Sequence, residues 1–239
     1  MVHPPGVDIY PEESLDTLPG TRLKIIQKKS GYRYSVDALL VAEFTPVRPG
    51  ERIIDLGTGS GVVALLLAEK ARPGEIVALE VQPDLADLAQ RNVVLNDMEN
   101  LITVVNQDIK HYKGKELAGR YDVAVSNPPF RARGRGRVSP KAGKAHARHE
   151  LSISLLELVA SASYLLKPGG RLSLVYTAAR LVDLICELRN KRLEPKRMQL
   201  VHHRFTSPAR MVLMEAIKGA GVELNILAPR TLEEQGIKN

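Results

Sequence analysis

The chain has 239 residues, 44% of them hydrophobic, a formal net charge of +7 and one cysteine. That is enough for one large α/β domain with a sizeable core, and no stretch approaches the roughly 18–20 apolar residues of a membrane span. The lone Cys186, in an apolar helical pattern, excludes an internal disulfide and argues against a cysteine-based zinc site, and the start Met-Val-His-Pro-Pro-Gly lacks a charged-then-apolar signal pattern, so a reduced cytoplasmic protein is expected.

Residues 1–20, rich in Pro, Glu and Asp, read as a mobile lead-in. Leu23 to Gln27 reads as a strand, Lys29-Ser30-Gly31 as a turn, and Tyr32-Arg-Tyr34 as the returning strand of a hairpin. Ser35 suits the N-cap of a helix reaching about Phe44, and Pro46 to Gly50 breaks the chain. From there strand and helix alternate. Strands are expected at Arg52–Asp55, Ile76–Glu80, Leu101–Val105, Tyr121–Ser126 and Arg171–Tyr176. Helices are expected at Gly61–Arg72, Pro83–Asn96, from Asp108 to about Ala118, at Leu151–Leu166 and at Ala178–Lys191. Lys167-Pro-Gly-Gly170 reads as the stop between the fourth of these helices and the strand after it. Met198–Val201 and Met211–Ile217 have no helix between them and are expected to pair antiparallel. Such alternation predicts an α/β fold with a mostly parallel sheet and helices on both faces. The expected division is an N-terminal extension over 1–45, a hairpin plus a helix packing on the core, and one domain over 46–239.

Three features carry chemistry. Asp55-Leu-Gly57-Thr58-Gly59-Ser-Gly61 joins the first core strand to its helix, where glycines let backbone approach a ligand and turn tightly. The dinucleotide fingerprint would need glycine at position 62, which is Val62, and a phosphate-binding Gly-Lys-Ser/Thr is absent. The pattern suits a cofactor without phosphates, whose ammonium and ribose groups need acceptors. Glu80 ends the second strand, where a carboxylate can accept from both ribose hydroxyls, and Asp108 follows the third, where it could accept from an adenine amino group. Each acid alone is more often a helix cap or a surface charge; the three together, in this order, point to cofactor binding.

The second feature is Asn127-Pro128-Pro129-Phe130, directly after the Tyr121–Ser126 strand. The prolines fix their own φ, restrict Asn127 and remove two N–H donors. Two acceptors and a stacking ring form a possible clamp for an amino group on a flat substrate, although a stiff strand-to-loop turn would look the same. Third, residues 131–149 hold Arg131, Arg133, Arg135, Arg137, Lys141, Lys144 and Arg148 and no acid. This run equals the surplus charge of the whole chain and suggests a polyanion, against a merely solvated loop. His146, His149, His202 and His203 invite a metal reading, but no acid or cysteine completes a set at ligand spacing, so no metal is expected. Met211 and Met214 read as core.

Asp55-Leu-Gly-Thr-Gly-Ser-Gly61, Glu80, Asp108 and Asn127-Pro-Pro-Phe130, in this order, resemble the class I S-adenosylmethionine-dependent methyltransferases. Gly31-Tyr-Arg-Tyr-Ser-Val-Asp-Ala-Leu-Leu40, Ala147-Arg-His-Glu150, Leu193-Glu-Pro-Lys-Arg197 and Val212-Leu-Met-Glu-Ala-Ile-Lys218 resemble the bacterial valine-tRNA adenine N6-methyltransferases. The similarity covers roughly residues 20–220. It implies a Rossmann-like fold with a mostly parallel seven-stranded sheet and an antiparallel last strand. It implies S-adenosyl-L-methionine held by Asp55, Gly57, Thr58, Gly59, Gly61, Glu80, Val81 and Asp108, catalysis at Asn127, Pro128, Pro129 and Phe130, and tRNA as partner. Phe130 stands where tyrosine is more usual in that family: stacking survives the exchange and a phenolic hydrogen bond does not. The rival enzyme is a protein glutamine N5-methyltransferase, but residues 1–45 leave no room for the helical N-terminal domain usual there. The rival from another class is a non-catalytic RNA-binding protein on the same fold.

Overall fold

A computed structural model describes residues 7–30, 33–128 and 154–233. Its elements, in chain order, are β1 (Glu13–Thr17), β2 (Lys24–Lys28), α1 (Val36–Phe44), β3 (Arg52–Leu56), α2 (Val62–Ala71), β4 (Glu75–Glu80), α3 (Pro83–Leu95), β5 (Ile102–Asn106) and β6 (Tyr121–Ser126). There follow α4 (Leu155–Leu165), β7 (Leu166–Thr177), a 3-10 turn at Ala178–Arg180, α5 (Leu181–Asn190), β8 (Leu193–His202) and β9 (Ala209–Lys218). Two-residue strands β10 (Asn225–Ile226) and β11 (Arg230–Thr231) come last.

The main sheet runs β5-β4-β3-β6-β7-β9-β8, with β10 and β11 both on β8. It therefore has nine strands among the described residues rather than the expected seven; the extra two are the short pairings with β8. β3 to β7 are mutually parallel, and β9 is antiparallel to both β7 and β8, with Met198 opposite Met214 and Val201 opposite Met211. The central strands are apolar without alternation because both their faces are covered. Along β3, Ile53 packs towards α1 and α2 while Ile54 and Leu56 pack towards α4. Met211 and Met214 are buried, one on each side of the sheet.

The end of α1 is fastened by polar contacts. Carbonyls 42 to 46, at the end of α1, are taken almost one after another by cations. Lys70 Nζ donates to Ala42, Glu43 and Thr45, Arg197 to Phe44, and Arg171 to Pro46. Positive groups suit the orphan carbonyls and the negative pole of a helix C-terminus. Arg197 also lies over the Phe44 ring, 4.2 Å from its centroid.

Four sequence expectations need correction. β2 pairs with β1, upstream, not with 32–34; Arg33 and Tyr34 are not in a strand, and 31–32 lie outside the described residues. Glu13–Thr17 is thus a strand inside the supposed lead-in. Its buried Glu13 is held by a two-pronged contact with Arg91, at 2.6 and 2.8 Å. Residues 108–118 form turns, not a helix, with Gly114 at the start of one and Gly119 at φ 65°. Finally, Lys167–Gly170 does not separate α4 from the next strand. β7 begins at Leu166 and passes through that stretch, with a register shift between Tyr121 and Val123 of its partner and Gly169 at φ 77°.

Candidate active site

The chain goes outward from β3 to β4 to β5 on one side and from β6 to β7 on the other, so neighbours β3 and β6 flank the reversal of strand order. In open α/β sheets the ligand crevice lies outside the carboxyl ends of strands at such a point. The glycine loop leaves β3 there and Asn127 leaves β6 there. A shallow cleft beside Arg52, Glu75, Asn100 and Thr103 lies at the opposite, amino-terminal edge and takes no part.

The loop is built from backbone that only glycine adopts cheaply. Gly57, Gly59 and Gly61 have φ of 80°, 59° and 86°. At Gly57 a Cβ would meet nothing within 4 Å, whereas at Gly61 it would sit 3.4 Å from Ala89 Cβ on α3. Gly61 therefore has a packing reason as well as a conformational one. The loop is drawn onto β4: the Gly57 and Thr58 amides both donate to the Leu79 carbonyl, at 3.0 and 2.8 Å. Next along β4, buried Glu80 accepts from Gly59 N through Oε2 and from Gln82 N through Oε1, each at 2.9 Å. A carboxylate has about four acceptor positions, so Glu80 keeps capacity for donors arriving from the crevice.

Asp55 is buried, and Thr58 Oγ1 donates to its Oδ2 at 2.6 Å. Its Oδ1 and the neighbouring Ser60 Oγ are buried without a hydrogen-bond partner among the described residues. Burial pushes the Asp55 carboxyl up to about 7; the Thr58 hydroxyl and the Ala64 backbone N–H, which faces the carboxyl beyond hydrogen-bond geometry, oppose this, and the Glu80 charge adds to it. A pair of closely placed acids with one unsatisfied oxygen suits a ligand bearing a cation and hydroxyl donors. These residues fit the cofactor that the sequence pattern implies.

The clamp strand is tied to the same loop. Ser126 Oγ, fully buried, donates to the Leu56 carbonyl at 2.7 Å, one residue before Gly57. Asn127 then emerges half-buried and Pro128 buried. Pro129, Phe130 and the basic residues Arg131, Arg133, Arg135, Arg137, Lys141, Lys144 and Arg148 lie outside the described residues. Val81 follows Glu80 and is half-buried. Asp108 stands apart from the Asp55–Glu80 group. Its Oδ1 accepts from Lys110 N and its Oδ2 lies 3.4 Å from Lys110 Nζ. Only backbone joins it to Glu80, through Gln107 N donating to the Glu80 carbonyl at 3.1 Å. His202 Nδ1 contacts the Ser207 carbonyl at 2.7 Å, away from the crevice. Among the described residues no group of three His, Cys, Asp or Glu could hold a metal ion, and no helix is long and apolar enough to cross a membrane.

Sequence reading missed Ser126 and Asn92. Neither has a signature, since a serine ending a strand and an asparagine inside a helix both read as ordinary polar residues. Their importance comes from partners 70 and 66 residues away in sequence.

Comparison with known proteins shows the fold and the family. A tRNA1(Val) (adenine(37)-N6)-methyltransferase of Tolumonas auensis is 34% identical over 152 residues, 63% of this chain and 62% of that protein. One of Bacteroides fragilis is 35% identical over 147 residues, 62% of this chain and 61% of its own length. The chain thus spans somewhat less than two thirds of these curated relatives. Among solved structures, a predicted O-methyltransferase from Agrobacterium tumefaciens superposes with a TM-score of 0.65 at 23% identity, covering 82% of this chain and 87% of that one. The tRNA (m1A58) methyltransferase TrmI from Aquifex aeolicus gives 0.55 at 17% identity, covering 80% and 72%. These likenesses show the fold to be the Rossmann-like one of methyltransferases. Residues 35–187, from Ser35 before α1 to Glu187 on α5, match the methyltransferase small domain model, and the chain belongs to that family.

Proposed function

We propose that this chain is an S-adenosylmethionine-dependent methyltransferase acting in the cytoplasm on the exocyclic N6 of an adenine in tRNA. The observation that carries the reading is the Ser126–Leu56 hydrogen bond, which holds the exit of the clamp strand against the start of the glycine loop. A methyl donor on the loop and an amine at the clamp would then share one crevice. The named activity of the 34–35% identical relatives supports the same assignment. In this reading residues 1–45 are an accessory extension and 46–239 the catalytic domain.

When bound, the cofactor supplies an electrophilic methyl on a sulfonium. Asp55 would accept hydrogen bonds from its ammonium and Glu80 from its ribose hydroxyls, and the glycines of the loop would let the backbone come close to it. The adenine N6 lone pair is delocalised into the ring and is a poor nucleophile. Asn127 Oδ1 and the Pro128 carbonyl, accepting from both N–H bonds, favour a pyramidal nitrogen with its lone pair turned to the methyl. Phe130 stacks on the base, an effect of ~1–3 kcal/mol in comparable contacts. Alignment would do most of the work: with a neutral thioether as leaving group, the methylated nitrogen, cationic and therefore acidic, gives up one N–H proton to solvent, so no strong base is needed. An adenine within a stack must be splayed out to enter. Arg131, Arg133, Arg135 and Arg137, outside the described residues, would supply the phosphate contacts, and affinity for tRNA should then fall steeply with salt.

The test is Asn127→Ala assayed on bulk tRNA. Methyl transfer should fall about a hundredfold or more, as for loss of one preorganised group at a reacting centre, with cofactor binding retained. Activity near wild type would remove Asn127 from the mechanism and sink the assignment.

A further inference from the structure

Among the described residues, a side chain on α3 hydrogen-bonds both the N-terminal hairpin and the glycine loop. Asn92, on α3, is fully buried and uses every hydrogen-bonding position that matters. Its Oδ1 accepts from Ile26 N at 2.7 Å, and its Nδ2 donates to the Ile26 carbonyl at 3.1 Å and to the Ser60 carbonyl at 2.9 Å. Ser60 sits between Gly59, whose amide is held by Glu80, and Gly61, which packs on Ala89 one turn back along the same helix. One turn further on, Asn96 repeats half of this arrangement. Its Oδ1 accepts from Lys24 N at 2.9 Å and its Nδ2 donates to the Lys24 carbonyl at 2.8 Å. The remaining Nδ2 hydrogen goes to the Asn92 carbonyl of its own helix, at 2.7 Å, and not to the loop.

The two asparagines, spaced one turn apart, meet alternate residues of β2 and stand in for a neighbouring strand along its free edge, the other edge being paired with β1. Ile26 also packs with Leu85 and Leu88 of α3, and Glu13 of β1 is clamped by Arg91. The hairpin is thus docked by several contacts, and among the described residues the hydrogen bonds of Asn92 continue from it to the loop.

We infer that Asn92 is a positioning residue for the cofactor. By holding the Ser60 carbonyl from behind, it sets the path of the Gly59–Gly61 backbone, so that hairpin docking and cofactor affinity are coupled. This rests on the cofactor reading given above. Reciprocity of coupling then requires the ligand to tighten the hairpin as well as the hairpin to tighten the ligand.

Asn96 supplies the internal control, because it docks the same strand without reaching the loop. S-adenosylhomocysteine is titrated calorimetrically into the full-length wild type, Asn92→Ala and Asn96→Ala, with melting temperatures recorded for each. Both variants should melt lower. Asn92→Ala should bind about tenfold more weakly, the size of one lost hydrogen bond to a buried group, and Asn96→Ala within about twofold of wild type. Equal affinities in all three would overturn the inference, as would equal losses in the two variants. Absence of binding by the wild type would instead overturn the cofactor reading. Should Asn92→Ala fail to fold, amide exchange on the wild type decides: saturating S-adenosylhomocysteine should slow Ile26 N–H more than Lys24 N–H, and no such difference refutes the coupling.

Discussion

With the cofactor's ammonium at Asp55, as proposed, binding should be linked to the loss of a proton. Burial, with Glu80 adding and Thr58 opposing, brings the Asp55 carboxyl to about 7 from an ordinary 3.8. A group raised on folding holds its proton more tightly in the native state. Its contribution is complete below the lower value and is lost as pH rises through about 7. Between those limits the unliganded protein should lose about 1.4 kcal/mol of stability per pH unit, about 4 kcal/mol in all. A ligand ammonium beside Asp55 favours the ionised form. Affinity for S-adenosylhomocysteine, which keeps that ammonium, should therefore rise up to tenfold per pH unit and level off above about pH 7. Near pH 6, about one proton should leave per ligand bound. Urea unfolding across the range gives the first quantity, and calorimetry in two buffers of different ionisation enthalpy gives the second. Asp55→Asn keeps the shape and the Thr58 partner but cannot titrate, so both dependences should flatten in it. Parallel pH profiles in wild type and variant would refute the reasoning.

Two further substitutions separate the loop's backbone from the fold's fastening. Gly61→Ala puts a side chain at φ 86° and 3.4 Å from Ala89, so it should cost about 1–2 kcal/mol from the left-handed conformation alone and weaken the cofactor as well. A melting temperature and affinity both equal to wild type would show that the loop relaxes freely. Lys70→Met leaves the Ala42, Glu43 and Thr45 carbonyls without their cation and should cost about 1–3 kcal/mol in urea unfolding, with cofactor affinity unchanged.

The sheet was legible because β3, β4 and β6 are short apolar runs bounded by turn residues, the pattern that double-sided burial demands. The glycine loop was legible because its φ values admit almost nothing but glycine. Reading failed where long-range contact decides. Glu-Ser-Leu-Asp-Thr17 does not look like a strand, since its buried Glu13 is made tolerable chiefly by Arg91 on α3, 78 residues away, with the Tyr10 amide adding a hydrogen bond. The turn at 108–118 looked helical because local propensity carries no record that Tyr112 hydrogen-bonds Tyr121 and that Tyr164 holds the Gly114 carbonyl. Asp55 and Glu80 lie at the carboxyl ends of their strands and Asp108 just beyond its own, with the Asp108 carboxylate turned to Lys110 in the unliganded protein. That contact is local and solvent-facing, and a ligand amine offering a better-placed donor can displace it.

The central claim is that a methyl group passes to a planar nitrogen held at Asn127, and that the nitrogen belongs to adenine in tRNA. Incubating tRNA with the protein and isotope-labelled S-adenosylmethionine, then digesting to nucleosides for mass spectrometry, tests it directly. Label is predicted in N6-methyladenosine, lost together with Asn127→Ala. Label in another nucleoside, or in none, would contradict it.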